Sequence, residues 1–381
     1  MKTQEALSRL TKFVQVLGCA GVASRPEYRA WSKDPKNETL MAKCFGYRRR
    51  DGMPRVTALL APSFDPQMNL VSLNYSPVAH NTLHAFPDGW TPVLRLCRGI
   101  IFDNVGKPYA VPFPKFFNFG EHPETTDLPD EPFVATEKHD GHLGIIFAAG
   151  PGLRLATRQS FDGPSAKLGN EMLQKLVAKH GWLEPGPSRP YPSPDLTLLV
   201  EMIHPRTHVH VDYGRRRGFI LIGATDRRTL HDCPYDELAA LGQRLGLPVT
   251  ERWSGDSIAD LRRLMRDRSV ANREGLVVRF QSGLRVKFKF ETYIGLMVAS
   301  KLSYGYLMKR SLSGNLDRML ATLPEEIRDQ AHEMVRRMKR AKRQGDEKTR
   351  RAYLYALDPE REKNQSYRGT CRKYLTLLAS R

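Results

Sequence analysis

Short apolar runs of strand length recur as far as about Tyr293 and then stop, leaving only helical periodicity beyond. This switch constrains the fold more than any other feature, because strands and helices bury apolar residues at different periods. Before it, residues 56–60, 70–73, 99–102, 196–202, 219–224, 275–280 and 284–288 read as strands. Residues 144–148 and 154–157 read as a hairpin closed by Gly150-Pro151-Gly152. Helical spacing marks residues 4–22, with Leu7, Leu10, Phe13, Val14 and Leu17 on one face, and also 166–180, 235–245 and 257–266. A proline-rich loop is expected over 184–195. Strands scattered among helices without a regular βαβ alternation predict an α+β domain on mainly antiparallel sheets. We place a boundary near Ile294, giving domains over 1–294, including an N-terminal extension, and over 295–381, basic and helical.

The charge balance narrows the partners. Sixty Lys and Arg against 41 Asp and Glu leave a formal net charge of +19. Such an excess gathers polyanions, nucleic acid foremost, unless it is only a solvated basic surface. The run Arg336-Arg337-Met338-Lys339-Arg340-Ala341-Lys342-Arg343 concentrates it near the C-terminus. The five cysteines are far apart, with no Cys-x-x-Cys pair, which argues against a zinc site or a disulfide framework and for a reducing compartment. Val16-Leu17-Gly18-Cys19 has a faint lipoprotein look, but Lys12 and Gln15 interrupt the apolar core it would need. No apolar stretch approaches the roughly 20 residues of a membrane span. A cytoplasmic protein is expected.

The chemistry concentrates around one lysine. Lys138 lies in Glu137-Lys138-His139-Asp140-Gly141, between the apolar Phe133-Val134 and Leu143, Ile145 and Ile146. A lysine at the end of a buried strand can lose its proton and act as a nucleophile; on the surface it is only a solvated turn residue. Gly141 would let the backbone come close to a bound nucleotide. Lys287 and Lys289 alternate with Val286, Phe288 and Phe290, so a strand puts both ammonium groups on one face. An anion such as phosphate would stabilise them there, as would water on an exposed face. Glu201 and Glu274 flank apolar runs, where a carboxylate can hold a ribose hydroxyl or a divalent cation, or can simply be solvated. Arg95, Arg98 and Lys115 flank residues 99–102 and Phe116-Phe117, a setting suited to phosphate and base contacts or to a packed phenylalanine pair with incidental charges.

Taken in order, these segments resemble the covalent nucleotidyltransferase superfamily of ATP-dependent ligases and capping enzymes, and within it the bacteriophage-type RNA ligases. The marks are Arg98-Gly99-Ile100-Ile101-Phe102, Pro114-Lys115-Phe116-Phe117-Asn118, Glu137-Lys138-His139-Asp140-Gly141 and Glu201-Met202 running on to 209–213. They continue with 219–224, Glu274-Gly275-Leu276-Val277 and Lys287-Phe288-Lys289-Phe290-Glu291-Thr292-Tyr293, so the resemblance covers roughly residues 70–295. It implies a nucleotidyltransferase domain of ATP-grasp-like antiparallel sheets followed by a mainly helical C-terminal domain. DNA ligases and capping enzymes place a five-stranded OB barrel there instead, and this tail is too short and too helical in pattern for one.

The resemblance also implies roles. Lys138 would attack the α-phosphate of ATP and carry AMP. Glu137, Arg98, Lys115, Arg158, Glu201, Glu274, Lys287 and Lys289 would complete the ATP site. Arg158 stands where phage-type enzymes have a lysine, which keeps the charge and changes the geometry. Lys287 and Lys289 would neutralise the α-phosphate, Glu274 would position Mg²⁺ or Mn²⁺, and Asp140 would serve the steps at the RNA ends. The implied partner is RNA with 5′-phosphate and 3′-hydroxyl ends, tRNA among the candidates, with an end-healing kinase or phosphatase as a further partner. Repair or splicing of RNA is the expected setting. The competing readings are a GTP-using capping enzyme and a catalytically silent RNA-binding relative.

Overall fold

A computed structural model describes residues 3–150, 152–182, 193, 195–207, 210–268, 272–300, 302–321, 323 and 325–380. Pro151 of the expected hairpin turn, most of the proline-rich loop and Val209 lie outside the described residues. The chain is α+β and divides into two compact units. The first takes Met1–Val209, Tyr213–Asp260 and Leu276–Phe288; the second takes His210–Asp212, Leu261–Gly275 and Lys289–Arg381.

Three sheets build the first unit. One has the order β1-β2-β3-β4, from Ser63–Asp65, Leu70–Asn74, Arg98–Asp103 and Pro108–Ala110. Next along the chain come β5 (Phe117–Asn118), β6 (Phe133–Lys138), β7 (His142–Ala149), β8 (Gly152–Thr157), β9 (Leu196–Ile203) and β10 (Gly218–Asp226). They are followed by β11 (Arg252–Gly255), β12 (Gly275–Phe280) and β13 (Arg285–Lys289). The second sheet runs β10-β9-β7-β8, antiparallel throughout. Strand β9 is nearly continuous in apolar residues because it lies inside that sheet, and Leu198, Leu199 and Val200 are all buried. The third sheet runs β11-β6-β12-β13-β5, and its β13–β5 pair is parallel, within sheets that are otherwise mainly antiparallel as expected.

Gly99 sets the approach of the first two sheets. Its φ is +89°, and a side chain there would meet Ile145 Cδ1 at 2.7 Å and the Arg158 Cα at 3.1 Å. Only glycine combines that backbone with so close a neighbour. Apolar residues from the first and second sheets, including Ile101, Ile145, Phe147 and Leu199, share one core.

The N-terminal segment is more helical than expected. The helix Thr3–Cys19 buries Leu7, Leu10, Phe13, Val14 and Leu17, the face read from its periodicity. Two further helices, Arg25–Trp31 and Pro35–Phe45, lie in a stretch to which the sequence pattern assigns no element. Each starts on a capping side chain, Ser24 Oγ accepting from the Glu27 N–H and Asp34 Oδ1 from the Lys36 N–H. Residues 56–60, expected as a strand, instead contain a 3₁₀ turn at Val56–Leu59. The Glu38 carboxylate accepts from the Val56 N–H at 2.7 Å and from the Thr57 N–H and hydroxyl, so those groups are satisfied without a strand neighbour.

Among the described residues after Lys289 the second unit is helical, from Glu291–Ala299 through Tyr304–Leu312, Leu316–Ala321, Glu325–Arg340 and Glu347–Ala356 to Gln365–Ala379. Its own core contains Leu307, Met308, Met338, Leu354, Cys371 and Tyr374. Helix starts at Ser303, Asp346 and Asn364 are capped by those side chains. No described helix is long and apolar enough to cross a membrane.

Candidate active site

Lys138 is the last residue of β6, where buried Phe133 and Ala135 alternate with half-buried Val134, Thr136 and Lys138. Pleating therefore turns the lysine to the same side as Val134 and Thr136. That side opens on a cavity of about 790 Å³ in the first unit, whose wall carries Arg98, Glu137, Lys138, Glu201 and Lys287. Five residues expected in one site thus line one cavity. Arg98 begins β3, Glu201 faces Leu143 and Ile220 on its neighbouring strands, and Lys287 is central in β13.

The turn after Lys138 is tightly fitted. A Cβ on Gly141 would lie 2.7 Å from the Met202 carbonyl oxygen and 2.9 Å from Glu201 Cγ. Its observed close approach is to the chain's own β9, where the sequence reading had a nucleotide. Asp140 does not line the cavity, but its backbone N–H donates to the Tyr213 hydroxyl at 2.8 Å. On the other flank, the Glu137 N–H donates to the Glu251 carbonyl and the Thr250 hydroxyl donates to the Glu137 carbonyl.

Like charges gather around the aromatic ring of Phe116. Lys287 Nζ lies 4.8 Å from its centre, and the guanidinium carbons of Arg98 and Arg285 each lie 5.5 Å from it. Arg285 also sits 4.0 Å from the Phe113 ring. The negative faces of such rings hold cations at about 0.5–2 kcal/mol each, which offsets part of the repulsion among the three positive groups. Although Lys287 is only half-buried overall, burial drives its pKa well below that of an ordinary lysine. Arg98, Lys115 and Lys138 push it further down, and Glu121 opposes them. Burial also lowers Arg98, with Arg158 and Arg285 adding to the fall and Tyr75 and Glu201 resisting it. A polyphosphate is the ligand whose charge such a set fits.

Arg285 escaped the sequence reading. It stands one alternation before Lys287 on β13, so the Lys-x-Lys pattern is in fact Arg-x-Lys-x-Lys. Asp232 holds it at 2.6 Å and also lies 3.5 Å from Arg279, all three on the cavity wall. Removing one partner of a largely buried ion pair leaves the other charge stranded. Asp232→Ala is therefore expected to lower stability by about 3 kcal/mol in denaturant unfolding, far more than a surface charge loss.

Lys115 and Arg158 do not line the cavity. Lys115 is 5% exposed and boxed by the rings of Phe117, Trp90 and Tyr75 at 4.2, 4.9 and 5.6 Å. Its ammonium pairs with Glu121 at 3.4 Å. Burial lowers its pKa, which Glu121 counters and Arg98 and Arg158 reinforce. Arg158 lies 4.7 Å from the Tyr75 ring. Glu274 and Lys289 belong to the second unit, where Lys289 Nζ is 3.1 Å from the buried Glu274 carboxylate and 5.0 Å from the Tyr293 ring.

Among the described residues no group of three or more His, Cys, Asp or Glu is arranged to hold a metal ion. A magnesium ion that arrives on a triphosphate needs fewer, about one or two carboxylates besides phosphate oxygens and water. Glu137 and Glu201 on the cavity wall supply that donor type.

Residues 96–293, just over half of the chain, match the RNA ligase family, and the chain belongs to that family. RNA ligase 1 of bacteriophage TS2126 is 31% identical over 138 residues, 34% of this chain and 34% of its own. A candidate RNA ligase of Thermovibrio ammonificans is 34% identical over 148 residues, 37% of this chain and 36% of its own. The chain thus spans about a third of the length of the curated relatives it matches. Among solved structures, an archaeal ATP-dependent RNA ligase aligns over 73% of this chain and 86% of its own, at 15% identity and a TM-score of 0.45.

Proposed function

We propose that this chain is an ATP-dependent RNA ligase that works through a lysyl-AMP on Lys138. The observation that carries the reading is the single cavity shared by Lys138, Lys287, Arg98 and Glu201. The Lys138 amine, once deprotonated to solvent, attacks the α-phosphorus of ATP. The N–P bond forms as the bond to the β-phosphate bridging oxygen breaks, and pyrophosphate leaves. A 5′-phosphate oxygen of RNA then attacks the same phosphorus and frees the lysine. Finally a 3′-hydroxyl attacks the RNA 5′-phosphate, expels AMP and seals the strand.

Such in-line transfers depend chiefly on positioning and on cations placed before the charge moves. Lys287 and Arg98 supply the cations, and Glu201 meets the nucleoside. Magnesium entering with the triphosphate would spread the charge of its oxygens. Arg158, Lys115, Asp140, Glu274 and Lys289 keep the roles that the resemblance assigns as part of this proposal. The physiological substrate is proposed as broken RNA, tRNA among the candidates, with end-healing by another enzyme. Incubation with labelled ATP and magnesium, then with a 5′-phosphorylated single-stranded RNA, tests the reading. An adenylyl adduct followed by a circle is expected. Adduct with labelled GTP alone, or RNA binding without any adduct, would overturn it.

The helix Glu325–Arg340 supports a role for the second unit in holding RNA. It buries Ala331, Val335 and Met338 and exposes Arg336, Arg337, Lys339 and Arg340, followed by exposed Lys342 and Arg343. Changing those four helix residues to Gln is expected to weaken RNA binding and leave adduct formation intact. The slope of log affinity against log salt should flatten by as much as about three if all four meet phosphates of a single strand.

A further inference from the structure

We propose that Tyr213 is a positioning residue for the Lys138-His139-Asp140-Gly141 turn, which its hydroxyl holds in place through the Asp140 backbone. The resemblance runs on from Glu201-Met202 to 209–213 without giving Tyr213 a task. The geometry supplies one. The Asp140 N–H donates to the phenol oxygen at 2.8 Å, across 73 residues of chain. Tyr213 is half-buried, and it belongs to the same compact unit as the turn.

The turn is anchored elsewhere by backbone. Glu137 is tied on one side to residues 250 and 251. Beyond Gly141, His142 and Leu143 enter register with Met202 and Glu201. Between these anchors, the phenol is a side-chain contact that reaches the turn's own amide. A phenol suits this place because it accepts from the amide while staying protonated. Burial raises its pKa, as do the neighbouring carboxylates of Asp140, Glu201 and Glu137, against the lowering by the Asp140 amide. Neutral Tyr213 thus adds no further negative charge beside those acids. A carboxylate in its stead would repel them.

The inference rests on the proposed function for its consequence, because the turn carries both Lys138 and Asp140. Without the hydroxyl the Asp140 amide loses its acceptor, and the amine and carboxylate on either side of His139 lose their fixed separation. Misplacing a nucleophile lowers the rate of transfer more than the affinity for nucleotide.

The test compares the full wild-type chain with Tyr213→Phe and Tyr213→Leu. In Tyr213→Phe, amide exchange at Asp140 is expected to quicken about tenfold, as loss of a hydrogen bond worth about 1.4 kcal/mol implies. Its adenylylation rate should fall about tenfold while KM for ATP stays within about twofold. Tyr213→Leu, which also removes the ring, should match Phe or fall lower. A Phe variant with wild-type exchange, or with a wild-type rate while Leu is impaired, would overturn the proposal and leave Tyr213 a packing residue. A wild-type chain that formed no adduct would overturn the proposed function instead. The exchange rate alone would then decide whether the hydroxyl holds the turn.

Discussion

Lys138→Ala is expected to leave no labelled adenylyl adduct after incubation with ATP and magnesium, while the protein unfolds at close to the wild-type denaturant concentration. The expectation is a loss to background, because the substitution removes the atom that bonds to phosphorus and nothing else in the reading can replace it. Lys138→Arg sharpens the test. It keeps a positive charge on the cavity wall but offers a group that stays protonated and cannot attack. If the role were electrostatic only, arginine would retain much of the activity. Equal loss in both variants assigns Lys138 the covalent part. An undiminished adduct in either one means that another amine is modified, and peptide mapping of the labelled chain would identify it. The lysine is half-buried and its removal empties no packed core, so stability is expected to change little.

The second large effect concerns Lys287. Burial, with the cations around it, holds its pKa down, so a bound anion that neutralises the ammonium must raise it again. Pyrophosphate or ATP binding should therefore take up protons, and affinity should rise as pH falls from the bound pKa to the lower free one. Each unit between the two is worth about tenfold in affinity. Calorimetry in two buffers of different ionisation enthalpy would show the uptake directly. Lys287→Ala should abolish that uptake and slow adenylylation about 100-fold or more, the scale of removing one preorganised charge contact. Uptake that persists in the variant would assign it to a different group. The same shift bears on stability. With its folded pKa below the unfolded value, Lys287 costs stability while protonated. That cost fades as pH rises through the lowered pKa and is gone above the ordinary lysine range.

What the sequence revealed follows from where information is local. Strands β7, β8, β9 and β10 and the helix Tyr235–Leu245 carry their own periodicity, so their limits were readable to within a residue or two. The helices Arg25–Trp31 and Pro35–Phe45 were also readable in principle. Ser24-Arg25-Pro26-Glu27 and Asp34-Pro35 combine a capping residue with proline in the first turn, but the stretch around them alternates polar and apolar residues and is broken by Gly and Pro, which masks the helical period. Residues 56–60 misled because their β-branched and leucine side chains suit a strand, whereas the Glu38 carboxylate, distant in sequence, takes their amide groups.

The site shows the same division. Lys138, Glu201 and Lys287 could be placed because each ends or interrupts an apolar run that must become a strand. Arg285 is less legible because the two lysines already make a complete alternating pair, although strand alternation extends to it. The box around Lys115 was beyond reach. It needs Tyr75, Trp90 and Phe117, brought together from three separate stretches of chain. The parallel pairing of β5 with β13 was likewise invisible, since only two residues of β5 take part.

Gly99 has a consequence for the two arginines beside it. Any side chain at that point would act as a wedge between the first and second sheets, forcing apart the strand that begins with Arg98 and the backbone of Arg158. The absent methyl therefore lets the backbones that carry two guanidinium groups, 60 residues apart in sequence, lie against each other. In the Arg-Gly pair, arginine carries the charge and glycine admits the neighbouring backbone that brings the second one near.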